Sequence, residues 1–181
     1  LQQKLTSDIL EPLGMKSTSF HPKGECAPTK SDYTDQKFTC VQQDLLARAQ
    51  GGESGHAGLF STTEDLGRFA AMLVQKGIYA GKTVLKPESV EAMSKPQGNE
   101  NYGAGMRINT AGKYCPSMSE GAFGHTGWNG TFLMADPKTG MWVTLGMNAS
   151  LLNRIPKVDD KISTARQALC NAVGSSYSAL K

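Results

Sequence analysis

The stretch 122–148, AFGHTGWNGTFLMADPKTGMWVTLGMN, constrains this chain more than any other part of it. Two apolar runs, Thr131 to Ala135 and Met141 to Met147, flank Asp136-Pro137-Lys138-Thr139-Gly140. Proline presets φ at the first central position of a turn, and glycine accepts a positive φ at its end. The pattern predicts a β-hairpin. The approach to its first strand is Gly124-His125-Thr126-Gly127-Trp128-Asn129-Gly130. Glycines around a titratable side chain at a strand start let a ligand come close to backbone N–H groups. A strand that only fills a core has no use for them.

The rest of the chain reads as helices before this hairpin and one helix after it. Leu1, Leu5 and Ile9 lie at helical spacing up to Pro12. Residues 16–40 are polar and rich in Pro and Gly, a loop with short extended pieces. Asp44 to Ala49 reads as a short helical turn. Ser61-Thr62-Thr63-Glu64 has the letters of a capping box with Ser61 as N-cap. Leu66, Phe69, Ala70 and Leu73 follow as an apolar stripe, with Gly77 as the stop. Pro87 opens a shorter helix. Tyr102, Ala104, Met106 and Ile108 alternate in the manner of a strand. Val158, Ile162, Ala165, Leu169 and Val173 predict a closing amphipathic helix of about four turns. The fold class expected is α+β, an antiparallel sheet flanked by helices.

Three segments carry a family resemblance. FGHTGWNGT followed by the DP-x-x-G turn resembles the third motif of the serine β-lactamase and penicillin-binding-protein superfamily, in its His-Thr-Gly form. Gly55-His56-Ala57-Gly58-Leu59-Phe60-Ser61-Thr62-Thr63-Glu64-Asp65-Leu66 resembles the GHAGLFST-x-x-DL segment of its class C-like members. Pro12-Leu13-Gly14-Met15-Lys16-Ser17-Thr18 resembles their PLGM-x-x-T segment. Their order and spacing fit as well. The resemblance implies a β-lactamase/transpeptidase-like fold, of which 1–181 supplies the C-terminal part of a single domain. Residues 1–100 would give mainly helices and loops, and 101–181 the sheet strands and the C-terminal helix.

The same resemblance implies a serine hydrolase that cleaves an amide or ester through an acyl-enzyme. The candidate substrates are a β-lactam, a D-alanyl peptide of peptidoglycan type or a small ester. That chemistry needs a Ser-x-x-Lys nucleophile, a Tyr-x-Asn or Ser-x-Asn partner, a Lys/His-Thr-Gly strand and two oxyanion N–H groups. Only one Ser-x-x-Lys is present, Ser178-Ala179-Leu180-Lys181, at a chain end where geometry is hard to fix. There is no Tyr-x-Asn, and Gly52-Glu53-Ser54-Gly55 lacks the closing glycine of a nucleophile elbow. The nucleophile is therefore expected outside this chain, upstream of Leu1. The runner-up reading is a non-catalytic cell-envelope binding module that keeps the fold.

Carried over residue by residue, His125 supports the nucleophile's network or a substrate carboxylate, and the Trp128 N–H is an oxyanion donor with its indole as pocket wall. Thr126, Gly127 and Asn129 contact substrate, and His56 borders the cleft. Lys138-Thr139-Gly140 repeats the motif's letters in a turn, where the lysine is solvated. Asp44 and Glu64 read as structural. The Asn129 and Asn148 sequons read as chance. No metal and no cofactor is expected.

Composition narrows the rest. A net charge of +3 with both signs interleaved gives no nucleic-acid footprint. No apolar run reaches the roughly 18 residues of a membrane-spanning helix. Cys26, Cys40, Cys115 and Cys170 suit no zinc site, and their pairing is open between free thiols and a Cys26–Cys40 disulfide. The resemblance leans towards an exported protein, periplasmic or secreted. With only late strands present, the chain is expected to associate with its own N-terminal segment or with another copy.

Overall fold

The computed structural model describes residues 1–30, 36–150 and 157–179. Helices α1 (Gln2–Leu5), a π-turn (Thr6–Leu10) and α2 (Glu11–Leu13) run as one stretch. Then follow β1 (Thr29–Lys30), β2 (Lys37–Phe38), α3 (Leu45–Ala49), α4 (Thr63–Val74), β3 (Ile78–Tyr79), β4 (Lys82–Thr83) and α5 (Pro87–Ser94). The main sheet comes after them: β5 (Arg107–Ile108), β6 (Phe123–Thr126), β7 (Phe132–Asp136) and β8 (Met141–Leu145), antiparallel in the order β5-β6-β7-β8. Helix α6 (Val158–Ala179) closes the chain. The class is α+β, with helices against both faces of the sheet.

Strand β7 explains the layering. All five of its residues are buried. Successive side chains of a strand point to opposite faces. Leu133 and Ala135 join a cluster with Phe123, Ala70, Leu73, Leu10 and Leu13. Phe132 and Met134 join another with Met141, Val143, Cys115 and Cys170. One face of the sheet is therefore covered by α2 and α4, the other by α6 and the 113–121 connection. Gly67 of α4 admits the Trp142 ring, since a Cβ there would stand 3.0 Å from Trp142 Cη2.

The hairpin forms as its turn residues dictate. Asp136 pairs with Met141, Gly140 donates to Asp136 O at 2.8 Å, and Gly140 takes φ +78°. Elsewhere the structure corrects the sequence reading. The first helix does not stop at Pro12. The proline ring opposes a regular α-turn over the residues before it, the helix widens into the π-turn, and the chain continues to Leu13. Gly14 in the left-handed region then ends it, with Gly14 N bonded to Glu11 O and Met15 N to Leu10 O. The N-cap of α4 is Thr62, which accepts from Asp65 N at 3.2 Å. Ser61 instead bonds to Thr18, and Glu64 pairs with Arg68.

The alternation over 102–108 is mostly turn, not strand. Only Arg107 and Ile108 pair with β6, while Tyr102 bridges back to Arg107 across a bend with Gly105 at φ +70°. A Cβ on Gly103 would collide with Met93 O, so the small residues there serve close packing. Helix α6 has 22 residues, about six turns rather than four. Of its expected stripe Ile162 is buried and Leu169 and Val173 pack against the second cluster, while Ala165 is exposed and Cys170 and Gly174 are buried in addition. Cys115–Cys170 pins that face to the 113–121 connection, with Cα atoms 5.3 Å apart. Cys26–Cys40 closes the polar loop, with Cα atoms 5.2 Å apart.

Two buried carboxylates hold segments together. Asp65 accepts from Ser17 N, Thr18 Oγ1 and Arg68 Nη1, each at 2.8 Å, and Arg68 also donates to Gly14 O at 2.8 Å. The PLGM-x-x-T and GHAGLFST-x-x-DL segments are thus two halves of one polar joint. Asp136 at the hairpin accepts from Ser119 N at 2.9 Å, Ser119 Oγ at 2.8 Å and Lys138 N at 3.0 Å. Burial alone would raise its pKa, but the bonds from Ser119, Thr139 and Lys138 outweigh it and hold the carboxyl below its ordinary value.

That sign fixes a pH dependence. A depressed folded pKa contributes stability that is complete above the unfolded value, about 3.9 for Asp. The contribution is lost as pH falls through the folded value. Urea unfolding of Asp136→Asn is expected to show a loss of about 1–3 kcal/mol at neutral pH, since an amide nitrogen cannot accept from Ser119. The gap between wild type and variant should narrow as pH falls below about 4. A gap that widens on acidification contradicts the assignment.

Candidate active site

The sheet brings five of the sequence-selected residues to one place. His125 and Thr126 end β6, and Gly127, Trp128 and Asn129 make the turn that leads into β7. Pairing of β6 with β7 places His125 opposite Leu133 and Thr126 opposite Phe132. His125 therefore lies on the sheet face shared with Leu133, the side of α2 and α4, and Thr126 on the α6 side. The imidazole is exposed, and its Nδ1 stands 2.8 Å from Thr126 O.

The other edge of β6 is covered only in part. Strand β5 pairs with Phe123 and Gly124, and no strand among the described residues continues alongside His125 and Thr126. This leaves a strand edge open beside the imidazole, able to pair with an extended chain.

The turn itself is tightly built. Gly127 N donates to Thr131 O at 2.7 Å and Gly130 N to Gly127 O at 3.0 Å. Gly130 sits at φ +94°, where a side chain would also collide with Met147. A Cβ on Gly127 would collide with Thr131 Oγ1. Ala149 N braces the turn from outside by donating to Asn129 O at 2.8 Å. Within this frame the Trp128 N–H has no acceptor among the described residues. The Asn129 Oδ1 is buried and finds no donor among the described residues.

The Trp128 side chain departs from expectation. It is 82% exposed, so it walls no pocket formed by the described residues. His56 is held in a network of its own loop. Its Nδ1 is 2.7 Å from Ser54 Oγ and its Nε2 is 3.1 Å from Asp44 Oδ1. Asp44 also caps α3 through Ala47 N at 2.7 Å. That backbone bond chiefly, against some burial and with help from His56, holds the Asp44 carboxyl below its ordinary value. Both ring nitrogens of His56 are thus engaged within the protein. Lys138 is exposed in the hairpin turn, away from the strand end. Ser178 donates to Gly174 O at 2.9 Å, while Leu180 and Lys181 of its motif lie outside the described residues. Among the described residues no cluster of His, Cys, Asp and Glu is arranged to hold a metal ion.

Sequence reasoning passed over Arg166. It projects from α6 between Ile162 and Cys170, and its guanidinium reaches the Gly127–Thr131 turn. Burial, with Arg107 adding to it and Asp159 opposing, lowers its pKa from the ordinary value. The signal was present: a cation stands at a position where the helical period calls for an apolar residue.

The chain is similar to known proteins along most of its length. The beta-lactamase family model matches residues 1–165. Proteins of Salmonella newport and Salmonella dublin with the provisional name D-alanyl-D-alanine carboxypeptidase are 27% identical over 169 residues. That match takes in 80% of this chain and 39% of theirs, so the chain spans about two-fifths of these curated relatives. A beta-lactamase structure from Mycobacterium bovis superposes with a TM-score of 0.64 at 21% identity, over 97% of this chain and 56% of that one. A simvastatin synthase variant from Aspergillus terreus gives 0.64 at 15% identity, over 98% and 51%. At such identities the two structures speak for the fold alone, and both place this chain within about half of a larger one. With the family model matching nearly its whole length, this chain belongs to the beta-lactamase family.

Proposed function

We propose that this chain is the late part of a serine hydrolase that opens an amide or ester through an acyl-enzyme, on a D-alanyl peptide of peptidoglycan type. The observation that carries the reading is the end of β6: an open strand edge, an exposed imidazole and a Trp128 N–H with no acceptor among the described residues. An extended peptide pairs its backbone with such an edge, and its scissile carbonyl then meets the free N–H. A donor of this kind is worth about 3–4 kcal/mol in the transition state. The family match and the carboxypeptidase name of the relatives support the substrate class.

In this reading the nucleophile and its amine come from a segment ahead of Leu1. The sheet is consistent with such a segment, since β8 ends it and its outer edge meets no strand among the described residues. An early strand laid against β8 would satisfy those N–H and C=O groups. The two disulfides agree with an exported protein, because such bonds persist in oxidising compartments. Among the described residues no helix is long and apolar enough to cross a membrane.

His125 supports the nucleophile's network from the α4 side of the sheet, while Thr126 and Asn129 meet the substrate. His56 holds the neighbouring loop through Ser54 and Asp44 and borders the cleft. The first test is covalent. The gene product that contains this chain should take up one fluorophosphonate per molecule, on a serine of a Ser-x-x-Lys outside 1–181. Labelling of a serine within 1–181 contradicts the reading, and no labelling anywhere favours a non-catalytic binding module of the cell envelope. In the same protein His125→Ala should lower kcat/KM by about 10²-fold or more, as general acid–base partners do, and Lys138→Ala should leave it near wild type. The reverse result would mean that the turn motif, not the strand motif, is the working one.

A further inference from the structure

Helix α6 carries a cation where its packing asks for none. Arg166 follows Ile162 by one turn and precedes Cys170 by another, both of them buried. Its Nε donates to Gly130 O at 3.1 Å. Its Nη2 donates to Gly127 O at 3.0 Å and to Thr131 O at 3.1 Å. The guanidinium carbon stands 6.0 Å from the Phe132 ring centroid. Three carbonyls of one turn thus converge on one planar donor group. A charged group held against main-chain oxygens in this manner fixes a backbone shape.

We infer that Arg166 is a positioning residue for the oxyanion donor: by holding the Gly127 carbonyl it aims the Trp128 N–H away from α6, towards the side of the sheet where His125 lies. The inference rests on the acyl-enzyme reading above. Its geometry is that of a single peptide plane. Gly127 and Trp128 are joined by a trans peptide, so the C=O of Gly127 and the N–H of Trp128 point in opposite directions. Gly127 O accepts from Arg166 Nη2 of α6 and from Gly130 N within the turn, so two donors hold the oxygen end of the plane. Its N–H is left facing outward, without an acceptor among the described residues. Charge at the oxygen also polarises the peptide, which makes its N–H a stronger donor.

The guanidinium is itself held in place. One turn further along α6, Cys170 is bonded to Cys115, and Cys170 O accepts from Ser117 Oγ at 2.6 Å. The helix cannot slide or rotate without straining that anchor. A lysine at 166 would keep the charge but could not span three oxygens with a planar fork.

The experiment uses the full-length protein with Arg166→Lys and Arg166→Ala. Hydrogen exchange by mass spectrometry over peptides covering 126–132 should quicken in both variants. Turnover of a p-nitrophenyl ester should fall about ten- to a hundredfold in kcat, the scale of a misplacement near 1 Å, with KM close to wild type. Added methylguanidinium should restore part of kcat to Arg166→Ala. A residue that merely stabilises the fold would lower Tm without separating kcat from KM and without guanidinium rescue, and that outcome overturns the inference. So does wild-type acylation with unchanged loop exchange and kcat in Arg166→Lys, a variant that retains the charge and much of the packing. A wild-type protein that acylates with no probe overturns the hydrolase reading instead, whatever the loop does.

Discussion

Burial of β7 on both faces is the constraint on which the rest of the structure depends. A strand with Phe132, Leu133, Met134, Ala135 and Asp136 all inside needs a layer above it and a layer below. Leu133 and Ala135 need α2 and α4, and Phe132 and Met134 need α6. Burying side chains of this size is worth about 1.5–3 kcal/mol each, enough to set the order of layers. The one charged member of the strand, Asp136, is tolerated because Ser119 and the turn supply its hydrogen bonds. The strand beside β7 then has no freedom of register. A slip of one residue would turn His125 to the α6 face and place Thr126 on the other.

The same layering positions the residues of the proposed site. Helix α6 covers one face, and from that face Arg166 reaches the turn between β6 and β7. The 1–100 region covers the other face, and there the imidazole of His125 is exposed. The turn at Gly127–Gly130 lies between the two, tight enough that neither Gly127 nor Gly130 has room for a side chain. In the proposed reading, function depends on where a few main-chain groups point, and the packing of both layers sets those directions. The Asp65 joint has a parallel role further back: by tying Ser17 and Thr18 to α4, it fixes the helical layer against which β7 and β6 pack.

Much of this was legible in the sequence, for a physical reason. The hairpin is written in local chemistry: two apolar runs set its strands, and Pro137 and Gly140 each state their own conformation. The strand-start glycines read as room for a ligand beside the backbone, whereas in the structure Gly127 and Gly130 are closed by Thr131 and Met147 of the protein itself. What failed was the reading of residues whose partners are distant or whose role is space. Tyr102 to Ile108 alternates like a strand, but its glycines serve contact with α5 and a bend. Ser61 looked like a cap, yet its hydroxyl belongs to Thr18, far away in the chain. Asp65 and Arg166 act through partners 48 and 39 residues away, and no local pattern names such a partner. Trp128 was read as a wall, because an aromatic beside a motif suggests one, but its indole faces solvent in this chain.

The central claim is that the Gly127–Trp128 peptide presents the oxyanion donor of an acyl transfer whose serine lies elsewhere in the protein. The most direct measurement is a crystal structure of the full-length protein trapped as its acyl-enzyme. The account predicts the acyl carbonyl oxygen within about 2.7–3.1 Å of Trp128 N, with Arg166 still on the Gly127 carbonyl behind it. An acyl oxygen held by other groups, with the 125–130 segment turned away from it, would contradict the account.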